Sequence, residues 1–135
     1  MSLKASPMVW TGRVLSALFV LFMLGASVLP KLTGMAVAGD TLEQVGWSRA
    51  WVLPIGLIEL TCVLLYVYPR TSVFGAVVMM GLLGGAMATQ VRVDAPLFSH
   101  QLFSLYLGLI MWAGLWLRDP ALRALFPFRR AATAI

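Results

Sequence analysis

The sequence predicts an all-α fold: a bundle of four transmembrane helices, with a short helix in the outer loop and a basic cytoplasmic tail. Of the 135 residues, 61% are hydrophobic and 11% are charged, whereas a soluble domain carries about a quarter charged residues. A chain this short cannot bury such a surplus of apolar side chains in its own core. Four apolar runs are each long enough to cross the hydrocarbon layer of a membrane. The lipid bilayer is therefore the expected surrounding.

The four predicted membrane spans cover residues 12–29, 51–68, 73–91 and 97–117. None alternates with the period of two that marks a transmembrane strand, and lipid leaves open backbone groups without partners, so each span is predicted to be helical. Pro54 lies in the first turn of the second span, and Pro96 precedes the fourth. Pro30 is expected to stop or kink the first helix. Short connections join the spans, which indicates one integral membrane domain over residues 1–135.

The distribution of Lys and Arg predicts how the chain is oriented. The side that holds both termini carries seven cations: Lys4, Arg13, Arg70, Arg118, Arg123, Arg129 and Arg130. The opposite side carries three: Lys31, Arg49 and Arg92. By the positive-inside rule, both termini are expected in the cytoplasm, with the protein in a bacterial inner membrane. Aromatic side chains near the span ends are expected to mark the two interfaces: Trp10, Trp47, Trp51, Tyr66, Tyr68 and Trp116.

Two short polar segments carry helix-capping signals. In the outer loop, Asp40 with Glu43, or Thr41 with Gln44, forms a capping box. These pairs favour a short surface helix that ends at Gly46, although a plain connector is an equally good interpretation. In the basic tail, residues 118–135, Asp119 is expected to cap a helix that begins at Pro120 and anchors the chain on anionic head groups.

Glu59 is the candidate functional residue, because it lies at the centre of the second span. A carboxylate in the middle of the membrane costs about 2.5 to 3.5 kcal/mol on insertion scales, and such residues usually face a bundle interior or a wet cavity. We expect an outward-opening polar pocket with Glu59 as a candidate acid or base. The candidate ligand-binding residues on the neighbouring helix ends are Ser27, Lys31, Thr89, Gln90, Arg92, His100 and Tyr106. The alternative is that a protonated Glu59 only joins helices by a hydrogen bond.

Other kinds of site are disfavoured by the residue inventory. A single histidine and the single Cys62 cannot form a metal site or a haem bis-histidine pair. No basic helix with interleaved aromatic residues points to nucleic acid, so no nucleic-acid partner is expected. Gly81 and Gly85 form a GxxxG pair in the third span. This pair is a candidate surface for another membrane subunit or for a homo-oligomer.

The order and spacing of five short segments resemble those of the DoxX-like family of small four-helix bacterial membrane proteins. The segments are PKLTG at 30–34, WVLPIGLIEL at 51–60, PRT at 69–71, GAMATQVR at 85–92 and LWLRDP at 115–120. The resemblance covers residues 12–124 and implies a link to membrane redox systems; one branch is a subunit of a thiosulfate:quinone oxidoreductase. A family pocket would map onto Lys31, Glu59, Thr89 and Arg92. Gln90 departs from the pattern, since many relatives carry histidine there.

The leading functional hypothesis is a redox-accessory membrane protein that binds a lipophilic small molecule, with a quinone as the candidate cofactor, beside Glu59. Three alternatives remain open. One is a proton-coupled small-molecule transporter, although small multidrug transporters carry their glutamate in the first helix. The second is a membrane enzyme that acts on a hydrophobic substrate, with Glu59 as acid or base. The third is a scaffold subunit that binds a partner through its glycine face.

Overall fold

The computed structural model describes residues 6–129, and within that range the chain is all-helical. Six helices follow one another: α1 (Pro7–Leu32), α2 (Ala36–Gln44), α3 (Arg49–Val67), α4 (Ser72–Arg92), α5 (Leu97–Arg118) and α6 (Pro120–Leu125). Helices α1, α3, α4 and α5 are long and apolar enough to cross a membrane, so the predicted four-span bundle is confirmed. Lys4, Arg130 and the rest of the predicted tail beyond Arg129 lie outside the described residues.

The four long helices form a closed ring. Helix α1 packs against α5, α5 against α4, and α4 against α3, while the second half of α1 closes the ring against α3. Sequential helices run in opposite directions, so Pro7 and Arg118 lie at one end of the bundle, called here the terminal end. Helix α2 lies at the opposite end, called the α2 end.

Helix α1 continues through Pro30 instead of stopping near it. An α-helical part, Pro7–Phe22, is followed by a π-helical turn, Met23–Val28, and by a final α-turn, Leu29–Leu32. Pro30 has no N–H to donate to the turn before it. In the π turn, the Leu29 N–H donates to the carbonyl of Leu24, five residues back, so the hydrogen-bond register has shifted before the proline is reached. The first helix is therefore longer than predicted, and it carries Lys31 within its last turn.

Tyr66 is buried between helices near the terminal end, where the sequence predicted a residue at the membrane interface. Its hydroxyl donates to the carbonyl of Met111 and lies 2.8 Å from the Ser16 hydroxyl. Ser16 in turn accepts a hydrogen bond from Arg118 Nε at 3.1 Å. The ring of Phe19 meets the Tyr66 ring edge-on. Tyr66 has no exposed surface, because its polar atom finds partners on two other helices and its ring fills the core.

Close helix packing at the terminal end depends on Gly12 and Gly114. A Cβ atom at Gly12 would lie 2.7 Å from the carbonyl oxygen of Gly114 and 2.9 Å from the backbone nitrogen of Arg118. Backbone atoms cannot move aside as a flexible side chain can, so only glycine lets α1 and α5 approach this closely. The sequence interpretation had singled out a different pair of glycines, Gly81 and Gly85, as a candidate surface for another subunit or a homo-oligomer.

The two short helices differ in how they begin. Helix α2 starts at Ala36, and its N-cap Met35 supplies no side-chain hydrogen bond, so the predicted capping boxes are not used. Gly46 follows its end with a positive φ of 88°, a conformation that glycine adopts without strain. Helix α6 begins at Pro120 as predicted, with Asp119 Oδ1 accepting hydrogen bonds from the first-turn N–H groups.

We predict that Gly12→Ala lowers the thermal stability of the purified protein in detergent, because the added methyl group collides with backbone of α5. Gly25→Ala, in the same long helix, is the matched control, since a Cβ at Gly25 meets no described atom within 4 Å. A cost of about 1 to 3 kcal/mol is expected for the overpacked position. Equal melting temperatures for the two variants would contradict the assigned contact between α1 and α5.

Candidate binding site

A cavity of about 530 Å³ opens between the four long helices toward the α2 end. This volume lies within the usual range for small-molecule sites. Most of its wall is apolar, with Phe22, Met23, Leu83, Phe103 and Leu107 among the lining residues. Thr41, Leu42 and Val45 of helix α2 border it at the α2 end. An apolar space with a small polar region is the common form of a site for a lipophilic molecule.

Small residues on α4 provide the space. Gly81, Gly85 and Ala86 line the cavity, and a Cβ atom at either glycine would meet no described atom within 4 Å. The GxxxG pair therefore does not hold two helices of the described chain together. Within the chain, these two glycines leave their part of the cavity wall without side chains.

Glu59 forms an ion pair with Lys31 at the cavity. The Nζ atom of Lys31 lies 3.2 Å from Oε1 and 3.1 Å from Oε2 of Glu59. The Ser27 hydroxyl donates to Glu59 Oε2 at 2.9 Å and accepts from Lys31 Nζ at 2.7 Å. Both charged side chains are mostly buried, at 14% exposure for Lys31 and 10% for Glu59. The expected partner of the membrane carboxylate is thus present, and the opposite charges compensate each other where water is scarce.

The π turn of α1 brings the three side chains together. Ser27 belongs to that turn, and Lys31 follows four residues later on the same face. Lys31 also donates to the Ser27 carbonyl at 3.3 Å, which occupies a backbone acceptor in the irregular part of the helix. Gly56, one turn before Glu59, has no side chain, and a Cβ there would lie 2.8 Å from the Lys31 Cβ. This contact lets the lysine stem cross α3 on its way to the carboxylate.

Other sequence-predicted residues line the cavity away from the ion pair. Thr89, Gln90 and His100 belong to its wall. The Thr89 hydroxyl donates to the Gly85 carbonyl at 2.9 Å and lies 3.5 Å from the indole nitrogen of Trp47. The Nδ1 atom of His100 is 2.8 Å from the Ser99 hydroxyl.

Arg92 and Tyr106 are not among the residues that line the cavity. The Arg92 guanidinium lies over Gly46 in the loop after α2, with Nη2 3.1 Å from the position of a Cβ there. Tyr106 is 39% exposed. The structure therefore brings together Ser27, Lys31 and Glu59 and adds Thr89, Gln90 and His100 in the same cavity, while the other two predicted residues lie apart.

Ser104 is a lining residue that the sequence interpretation missed. It is 8% exposed and faces the cavity from α5. The available signal was its spacing, because residue 104 lies one turn after His100 and thus on the same helix face. Phe22 and Phe103 were missed for a different reason: apolar residues are so frequent in the spans that none of them stands out.

The arrangement can hold the polar end of an otherwise apolar molecule. The Lys31 and Ser27 donors point at the Glu59 oxygens, so the carboxylate acts as an acceptor. The compensated pair adds no net charge to the cavity. The apolar wall around it can surround a hydrocarbon ring or chain.

Comparison with known protein families gives a match over most of the chain. The sequence model of a family described as the DoxX-like family matches residues 14–114. No curated protein and no solved structure matches the chain. The matched region includes Ser27, Lys31 and Glu59 and all of the residues that line the cavity.

We predict that Lys31 and Glu59 are energetically coupled. Lys31→Met and Glu59→Leu should each lower stability, by about 3 to 5 kcal/mol, because each leaves a buried charge without its partner. The double variant should be more stable than either single variant, since it removes both charges together. Thermal or denaturant unfolding in detergent measures the cycle, and additive losses would show that the two side chains do not interact.

Proposed function

The chain belongs to the DoxX-like family, and from this premise we propose that it is a redox-accessory membrane protein that binds a lipophilic small molecule, with a quinone as the candidate. The polar end of the ligand lies at the Glu59–Lys31–Ser27 cluster, and its apolar part lies against Phe22, Phe103 and the α4 glycines. The single observation that carries the proposal is a buried, compensated ion pair on the wall of an apolar cavity.

The position of the ion pair supports binding over a purely structural role. A carboxylate that only joins helices would be expected within a closely packed interface between helices. Tyr66 is a polar residue in such an interface, at the terminal end. Glu59 instead borders about 530 Å³ of space. Gly81 and Gly85 of α4 face this space, whereas larger residues at these positions would fill it in a packed bundle. Interhelical hydrogen bonds in membranes stabilise a bundle by about 0.6 kcal/mol on average, which is small compared with the cost of placing charged side chains there.

The proposal includes an orientation in the bacterial inner membrane. Of the described cations, Arg13, Arg70, Arg118, Arg123 and Arg129 belong to the terminal end. By the positive-inside rule this end faces the cytoplasm. The cavity then opens toward the outer face, beneath helix α2.

Reporter fusions test the orientation. A fusion after Gly39, in α2, should be active only with a periplasmic reporter, and a fusion after Ser72, in the turn before α4, only with a cytoplasmic one. The two sites serve as controls for each other, because a single membrane orientation requires opposite results. Reversed activities would overturn the proposed outward-facing cavity.

Two adjacent glycines test the binding site. Gly85→Leu places a side chain in the cavity, whereas Gly84 does not line it, and a Cβ at either position meets no described atom within 4 Å. We expect both variants to fold. With 2-decyl-1,4-benzoquinone as the probe, calorimetry in lipid nanodiscs should show at least about tenfold weaker binding for Gly85→Leu and unchanged binding for Gly84→Leu.

Empty nanodiscs serve as the control, because they measure how much of the probe dissolves in the lipid itself. Saturable binding that both leucine variants retain equally would place the ligand elsewhere. Absence of saturable binding by the native protein would contradict the choice of a quinone as ligand.

A further inference from the structure

We infer that the cavity selects a neutral head group that donates a hydrogen bond, such as the hydroxyl of a hydroquinone, another phenol or an alcohol. The inference rests on the proposed function, since it names the ligand class of the same site. The acceptor for this hydroxyl is Oε1 of Glu59. Most donors and acceptors of the polar cluster are already in use within the protein.

Lys31 has no donor left for a ligand. An ammonium group carries three N–H donors, and Nζ has four acceptor atoms within 3.3 Å: the Ser27 carbonyl, the Ser27 hydroxyl and both oxygens of Glu59. The Ser27 hydroxyl donates its only proton to Glu59 Oε2. A ligand carbonyl that approached the cluster would therefore have to displace an existing hydrogen bond.

Glu59 has an acceptor site left. Oε2 accepts from both Ser27 and Lys31, whereas Oε1 accepts only from Lys31 among the described residues. Each carboxylate oxygen offers about two lone-pair positions, so one position on Oε1 is open. A second, smaller cavity lies beneath α2 and is lined by Lys31 but not by Glu59. The open acceptor thus belongs to the larger cavity.

The charge balance favours a neutral ligand. A carboxylate ligand at Oε1 would be repelled by the negative charge of Glu59. An ammonium ligand that donated to Oε1 would be repelled by Lys31, whose Nζ lies 3.2 Å from the same oxygen. Either ion would also lose its hydration on entering an apolar cavity, at a cost that no unpaired charge of the cluster offsets. A hydroxyl donates one hydrogen bond and adds no charge. Ser104 on α5 offers the remaining part of the head group a second hydroxyl that can donate or accept.

Three matched probes test the inference on the native protein: 2-decyl-1,4-hydroquinone, its dimethyl ether and 2-decyl-1,4-benzoquinone. Binding is measured anaerobically by calorimetry in lipid nanodiscs, with empty nanodiscs as background. The hydroquinone should bind at least about tenfold more tightly than its dimethyl ether, because a hydrogen bond to a charged group is lost in the ether. It should also bind more tightly than the quinone, which cannot donate. Decylamine and decanoate, as charged probes, should bind more weakly than the hydroquinone.

Glu59→Gln gives a test by reversal. The amide oxygen will take the place of Oε2, which accepts from both Lys31 and Ser27. The amide NH₂ will replace Oε1, so the variant loses the Lys31 hydrogen bond at that atom and has a donor where the native protein has an open acceptor. The variant should then prefer the quinone over the hydroquinone. Glu43→Gln, the same substitution at an exposed position on α2 that does not line the cavity, should keep the native order of affinities.

The outcomes separate the two proposals. Saturable binding that Gly85→Leu weakens, but with equal affinity for the hydroquinone and its ether, overturns the hydroxyl assignment and leaves the binding site in place. Tighter binding of the quinone, of decylamine or of decanoate by the native protein has the same effect. Absence of saturable binding for all five probes overturns the proposed function itself. The comparison of probes on the native protein decides the question even where Glu59→Gln fails to fold.

Discussion

The ion pair between Lys31 and Glu59 is the constraint on which the α2 half of the bundle depends. A carboxylate in the middle of a membrane span requires a compensating group, and that group comes from the last turn of α1. The second half of α1 must therefore lie against α3, which closes the helix ring. The π turn serves the same contact, because it carries the helix past Pro30 and sets Ser27 between the two charges.

Glycine has opposite effects in the two halves of the bundle. At the terminal end, Gly12 and Gly114 let backbones touch, and the buried Tyr66 ties three helices together by hydrogen bonds. In the α2 half, Gly81 and Gly85 face empty space within the described chain. The closely packed half can set the spacing of the helices, and the half with Gly81 and Gly85 then keeps a cavity between them. Close packing and open space are thus assigned to different glycines, Gly12 and Gly114 in one half and Gly81 and Gly85 in the other.

The core of the candidate site was predictable because its residues are chemically unusual for their location. Glu59 is a charge inside an apolar run, and Ser27 and Lys31 are four residues apart on the helix that precedes it. Arg92 and Tyr106 were placed in the pocket on the weaker argument that they lie at the right depth. Depth follows from counting residues along a span, but the face that a residue presents depends on helix rotation, which neighbouring helices determine. The burial of Tyr66 between three helices depends on the same rotation.

The sequence by itself determined the number of spans, their approximate limits, the cap of α6 and the residue that needs a partner in the membrane. These features depend on local hydrophobicity and local hydrogen bonding, which are determined by the residues of each segment alone. Only the tertiary structure decided which glycines pack and which leave space, where α1 ends, and which cation reaches Glu59. Those outcomes depend on the rotation and spacing of whole helices. In an apolar span, several faces of the helix can contact lipid equally well, so only the close fit between helices selects the face that is buried.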